Sequence, residues 1–207
     1  MPQVPPGRMG RLWVLGRLEL AERGVSLLEE KLRLLGNQRD LLQRRADETR
    51  RLWCDACREA DIWQLRASLL GGQRAIALAT PGEQASVTIE WATTTGIRYP
   101  DRVQCTLPSD VDTQAVYIST AAVQASRVHR AALVAAAQYA AAQSALVTIE
   151  REFSATRLRV RALSKHWLPR LRDELARIEL ELEEQDRAEA SRLRLIQRAR
   201  EGRAGIP

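Results

Sequence analysis

From Leu18 to Leu70 apolar residues recur in alternating steps of three and four. One position of the repeat reads Leu18, Val25, Leu32, Arg39, Ala46, Trp53, Ala60, Ala67. The other reads Ala21, Leu28, Leu35, Leu42, Thr49, Ala56, Trp63, Leu70, so only Arg39 and Thr49 break the apolar rule. A sustained 3.5-residue period marks a helix that supercoils against a partner. A second long segment, from about Leu146 to Ile196, can be that partner within the same chain. The pattern predicts an elongated all-α protein: a long antiparallel two-helix coiled coil of N- and C-terminal helices, with a short middle helix and a small β-hairpin. At about 1.5 Å per residue, such a helix reaches roughly 90 Å over some 60 residues.

The expected order is a coiled-coil helix over 1–70, a hairpin or foot region over 71–118, an Ala-rich middle helix over 119–145 and a second coiled-coil helix over 146–207, all in one continuous domain. Pro5, Pro6 and Gly7 hold the extreme N-terminus out of the first helix, and Gly71-Gly72 is read as its end. Gly10, Gly16, Gly24 and Gly36 lie inside that helix, which suggests either close approach of a neighbouring backbone or a frayed start. Ala85–Trp91 alternates in strand fashion and Val103–Leu107 is a second β-like run. The intervening Thr94-Thr95-Gly96 and Tyr99-Pro100-Asp101 read as loop, with Pro81 and Pro108 as outer bounds. Ser119 or Thr120 caps the Ala-rich helix, whose thin surface lets other helices approach.

Pro169 falls inside otherwise continuous helix, where it removes a hydrogen bond and predicts a kink. The repeat changes at the same place, because Leu163, Trp167, Leu171 and Leu175 are successive fours. Two independent signals thus predict an irregularity near 165–172.

The net charge of +6 and the pI near 9.9 raise nucleic-acid binding as one reading. Both signs are interspersed along the helical segments, however, as on a solvated coiled-coil face. The excess is concentrated: Arg8, Arg11 and Arg17 precede any acid, and Arg187, Arg192, Arg194, Arg198, Arg200 and Arg203 face only Glu189 and Glu201. In an antiparallel pair both basic ends meet at one tip, which suits a site with acidic or carbonyl-rich walls. Arg8, Met9, Arg11, Arg192 and Arg194 are the candidate partner-binding residues there.

Three cysteines without a secretory signal suit a reducing compartment. No apolar run is expected to reach the 18 or so residues that span a bilayer, so the chain is read as soluble. No phosphate-binding Gly-x-x-x-x-Gly-Lys-Ser/Thr loop is present. His129 and His166 lack ligand-spaced neighbours, and Cys54-Asp-Ala-Cys57 lies mid-helix without a second pair, so structural roles are expected. No catalytic constellation is visible, and a non-enzymatic chain without cofactor or metal is expected.

The residues resemble the D subunit of the V/A-type rotary ATPases. Gly7-Arg-Met-Gly-Arg-Leu12, then Leu18, Leu20-Ala-Glu-Arg-Gly24, Leu27-Leu28 and Lys31, is similar to the family's opening. Arg159-Val-Arg-Ala-Leu163 and Leu168-Pro-Arg-Leu171 resemble its C-terminal signature, continued by Leu182–Arg187 and Ser191–Leu195. Tyr117–Ala122 looks like its entry into the middle helix. Arg161 departs from the Asn usual there, and Thr94–Pro100 matches the family's hairpin only loosely.

The resemblance implies a non-catalytic central shaft, peripheral on the cytoplasmic face of the membrane. Its tip would enter a hexamer of catalytic and non-catalytic subunits A and B. Its lower part would bind the small F subunit of the stalk and the C/d socket subunit above the membrane ring, with no nucleic acid and no insertion into the bilayer. Ion flow would turn the ring and the shaft with it, and the bend at Pro169 would make the shaft asymmetric. A coiled-coil adaptor and a basic helical nucleic-acid binder are the alternatives. The adaptor has no need of the proline. Against the nucleic-acid binder, no aromatic platform interleaves with the basic residues, since Trp13, Trp53, Trp63 and Trp167 lie in the helices and only Trp91 in the hairpin.

Overall fold

The computed structural model describes residues 5–79, 84–108, 117 and 119–204, with side chains through 198. Pro81 and the side chains of Arg200 and Arg203, singled out above, lie outside the described residues. The elements are α1 (Gly7–Ala79), β1 (Ser86–Thr94), β2 (Ile97–Thr106), α2 (Thr120–Ala162), a π-helical turn (Leu163–Trp167) and α3 (Leu168–Ala204). The chain divides into two compact units, one of Met1–Lys31 with Thr156–Pro207 and one of Leu32–Ala155.

In the second unit the apolar repeat of α1 packs on α2. Leu35, Leu42 and Ala46 meet Ala142, Ala145, Leu146 and Ile149. Further along, Ala60 meets Val128 and Ala132, and Ala67 meets Ala121 and Ala125. Rising numbers on α1 against falling numbers on α2 make the pair antiparallel. Burying each large aliphatic side chain contributes about 1.5–3 kcal/mol. The two polar breaks in the repeat are both accommodated. The Arg39 guanidinium lies 4.7 Å from the Phe153 ring centroid and donates to Asp40. The Thr49 hydroxyl donates to the Arg45 carbonyl at 2.8 Å. Trp53 stacks on Tyr139, with centroids 5.3 Å apart.

Gly71-Gly72 ends the first long run of α1, as its sequence suggests. Gly72 takes φ 66°, ψ −177°, a break in the helix, and helical turns resume as far as Ala79. Leu70, expected in the seam, is exposed. Close backbone approach does not explain Gly16 and Gly24, which have open space where a side chain would stand. Gly36 faces only the Phe153 ring.

The hairpin is longer than its pattern suggested. Strands β1 and β2 pair antiparallel through a two-residue turn, Thr95-Gly96, in which both residues have positive φ. Tyr99-Pro100-Asp101, read as loop from the sequence, is inside β2. Pro100 sits at the register shift between Glu90 and Trp91, where a missing N–H costs no ladder bond. The hairpin rests on the helices. Tyr99 is in the core with Ala92 and Ile97 against it, its hydroxyl accepts from Gln38 Nε2 at 2.9 Å, and Arg45 pairs with Asp101 at 3.0 Å.

The Ala122 N–H donates to Ser119 Oγ, which makes Ser119 the N-cap of α2. Helix α2 has no break at 145 and runs on to Ala162. Ala131–Ile149 contains no charged residue. One 18-residue stretch of the helical segment Thr120–Arg198 is apolar enough by length and composition to cross a membrane, and only 22% of it is buried. This corrects the expectation that no such run exists. Alanine supplies the apolarity, and Ala132, Ala142 and Ala145 spend theirs on the packing with α1.

In the first unit α1 packs on α3. Val14, Leu171 and Ile178 form the buried cluster, with Trp13, Leu18, Ala21, Trp167, Leu175 and Leu182 around it. The predicted irregularity is the π-turn, in which the Leu168 N–H donates to the Leu163 carbonyl five residues back. Ahead of it the seam reads Ile149, Phe153, Thr156, Val160, Leu163. Beyond it the seam restarts at Leu168 and continues through Leu171, Leu175, Ile178 and Leu182. Leu168, buried to 7% exposure, was missed by reading fours through Trp167. Its signal was present, since steps of three and four begin afresh from it. Pro169 follows directly; it lacks an N–H, and its ring would press on the Lys165 carbonyl in a regular α-helix.

Candidate partner-binding surfaces

The basic residues of the two chain ends fall into two sets. Arg8 lies 3.8 Å from Asp186, Arg11 donates to Glu179 at 2.9 Å, and Arg172 donates to Glu22 at 2.8 Å. These three pairs run in antiparallel order along α1 and α3. Arg8 and Arg11 therefore have acidic neighbours on the opposite helix, in exposed pairs of the kind that contribute about 0–1 kcal/mol. Arg187 pairs with Glu183 within its own helix. Arg17 lies over the Trp13 ring at 4.7 Å.

Arg192 and Arg194 belong to the other set. Helix α1 begins at Gly7, opposite the neighbourhood of Asp186, and α3 runs on to Ala204. At 1.5 Å per residue the remainder of α3 outruns α1 by about 27 Å. Residues 183–198 are all exposed, including Leu193, Leu195 and Ile196. Arg192 and Arg194 have no acidic partner among the described residues and alternate with those apolar side chains. Met9 is exposed near the start of α1. The structure thus gives Arg8 and Arg11 local acidic partners and, among the described residues, gives Arg192 and Arg194 none.

Arg177 on α3 is held above its ordinary pKa. Its guanidinium is raised by the hydrogen bond to Glu174, then by the charges of Glu174 and Glu181. All three lie on the outer face of α3, where they support the helix by spacing of three and four.

Three further surfaces lie in the second unit. A shallow groove of about 550 Å³ runs over Trp53, Ala136, Tyr139, Ala140, Ser144 and Val147 on the uncharged stretch of α2. An apolar cleft of about 310 Å³ is lined by Ala67, Ile76, Pro108, Ala125, His129 and Leu133. Its polar edge includes Arg130, which donates to the Pro108 carbonyl, and His129, whose Nδ1 is 2.8 Å from the Ala125 carbonyl. Val87, Ile89 and Trp91 stand half-exposed in a row on one face of β1, and Arg98 covers Trp91. No group of three or more His, Cys, Asp or Glu suited to a metal occurs among the described residues. Cys54, Cys57 and Cys105 are free thiols, and Cys57 packs beside Ala60 and Val128.

Known proteins match this chain along nearly its whole length. The family described as the ATP synthase D subunit matches residues 14–198. The V-type ATP synthase D subunit of Thermus thermophilus is 32% identical over 202 residues, covering 95% of this chain and 88% of that protein. The V-type ATP synthase D subunit of Anaeromyxobacter sp. (strain Fw109-5) is 29% identical, covering 94% and 93%. The A-type ATP synthase D subunit of Methanopyrus kandleri is 29% identical, covering 95% and 86%. The matched region holds the antiparallel packing of α1 on α3, the hairpin, the π-turn and Pro169, and on that ground the chain belongs to the family of the ATP synthase D subunit.

Proposed function

We propose that this chain is the non-catalytic central-stalk rotor of a V/A-type ATPase or ATP synthase, carrying torque between an ion-translocating membrane ring and a catalytic hexamer. The observation that carries the reading is the family match across both terminal helices, which pack antiparallel through Val14, Leu171 and Ile178. Those helices act as an antiparallel coiled coil. Its tip, with Arg8, Met9, Arg11, Arg192 and Arg194, enters the cavity formed by subunits A and B. Arg192 and Arg194 make the stronger contacts there, because Arg8 and Arg11 already have Asp186 and Glu179 beside them. The small F subunit of the stalk and the C/d socket subunit bind the part that carries the hairpin and the uncharged face of α2. The chain works on the cytoplasmic face of the membrane as a peripheral component of the complex.

Two experiments test this. A pull-down of the tagged chain from its native membranes should recover two large nucleotide-binding subunits and a small partner. Recovery of only the chain itself or of nucleic acid would refute the rotor. In the assembled complex, Arg192→Glu with Arg194→Glu should leave the helices folded and lower ATP-driven ion transport. Unchanged transport would remove the arginines from the tip contact.

A further inference from the structure

The π-turn holds one residue more than packing requires. Steps of four and three run from Ile149 to Leu163, steps of three and four run from Leu168 to Leu182, and the single step between the runs is five. Removing one residue from Ser164–His166 would shorten that step to four and join the two runs into one unbroken repeat. The position of the extra residue is also fixed by sequence. Shifting it toward the C-terminus would turn Arg170, Glu174 and Arg177 into the seam. Shifting it the other way would bring in Ser164, Arg161 and Arg157. The turn is therefore dispensable for burial yet confined to one place.

It is also weakly braced. The Leu168 N–H reaches back five residues to Leu163, a poorer geometry than the α-helical bond, and Pro169 offers no donor at all. Lys165 and His166 are exposed, and Ser164 donates to the Val160 carbonyl at 2.8 Å, drawing on a carbonyl of the preceding turn.

We propose that Leu163–Trp167, held open by Pro169, is a torsional joint at which this helix twists and bends under load more readily than the α-helix on either side. The use of the joint rests on the rotor reading: strain from one catalytic step is taken up there and released into the next. Its existence does not rest on that reading.

Hydrogen–deuterium exchange on the full chain tests the joint itself. Amides of 164–168 should exchange at least about tenfold faster than those of 157–161 and 175–179. Protection equal to the flanks would overturn the proposal. Deleting Lys165 should bring the turn to within about threefold of its flanks and should not lower the melting temperature. A deletion variant that melts lower or does not fold would show that the residue is needed for packing, and would also overturn it. Pro169→Ala keeps the chain length and should slow exchange at the turn by about threefold; no slowing would mean the proline does not hold it open. In the assembled complex the Lys165 deletion should lower the ions moved per ATP at least about twofold, and an unchanged ratio would overturn the use assigned to the joint. A chain that joins no such complex sinks the rotor reading and leaves the exchange result standing.

Discussion

Thr156 is fully buried at a seam position of α2, and its Oγ1 has no hydrogen-bond partner among the described residues. Other helical hydroxyls in the chain behave differently: Thr49, Thr148 and Ser164 each donate to the carbonyl four residues back at 2.8 Å. Thr156 thus carries the desolvation cost of its hydroxyl without a compensating bond, a penalty of about 1–3 kcal/mol. Thr156→Val keeps the branched shape and replaces that hydroxyl with a methyl. Part of the gain is offset by fitting the slightly larger group into a packed seam. The expected net effect is a stabilisation of about 1–2 kcal/mol, or a rise of about 3–6 °C in melting temperature for a chain of this size. Thermal unfolding followed by circular dichroism, with urea titration to check that the m-value is unchanged, reads it directly. Thr156→Ser is the control: it keeps the hydroxyl, loses the methyl and should cost about 1 kcal/mol. If the valine variant is less stable than the parent by about 1 kcal/mol or more, the hydroxyl is bonded in solution and the reasoning fails.

Ile149→Ala removes a fully buried side chain from the cluster with Leu35 and Leu42, and should cost about 2–5 kcal/mol in urea unfolding. Tyr99→Phe deletes the hydroxyl that meets Gln38 and Thr94; a loss of about 1–2 kcal/mol and faster amide exchange in the hairpin are expected. Gly72→Ala places a side chain where φ is +66°, and should destabilise by about 1–3 kcal/mol although the space is open. Gly24→Ala, in regular helix with equally open space, should instead stabilise by about 0.5–1 kcal/mol, and opposite signs in the two melts are the check.

Periodicity carried far in this chain because a helix pair is specified locally. Each seam residue of α1, apart from Leu70, is buried or half-buried where the repeat put it. The irregularity near Pro169 was equally legible, since a proline and a change of step coincided. The hairpin was legible as two strands, but not in extent. Strand β2 includes Pro100, and local propensity assigns a proline to a loop unless a bulge in the strand receives it, here at the extra residue Asp101 beside Pro100. The tip was legible only as composition. Which arginines have acidic neighbours depends on the register of α1 against α3, and an exposed arginine pairs or stands alone on differences of a few ångströms.

The sequence by itself determined the long helices, their apolar seams, the strand pair between them and the place of the helical fault, because these follow from backbone hydrogen bonding and side-chain period within one segment. Tertiary structure decided the rest. It made the fault a π-turn with Leu168 in the seam, because one extra residue must be absorbed where two seams are both held against a partner helix. It seated the hairpin through Tyr99 on α1, and it set Arg8 and Arg11 beside acids while Arg192 and Arg194 extend past the end of α1. The place of Leu168 was readable, since steps of three and four begin afresh from it. The seating of the hairpin and the pairing of the arginines depend on distances between segments remote in sequence, and no periodicity within a single segment encodes them.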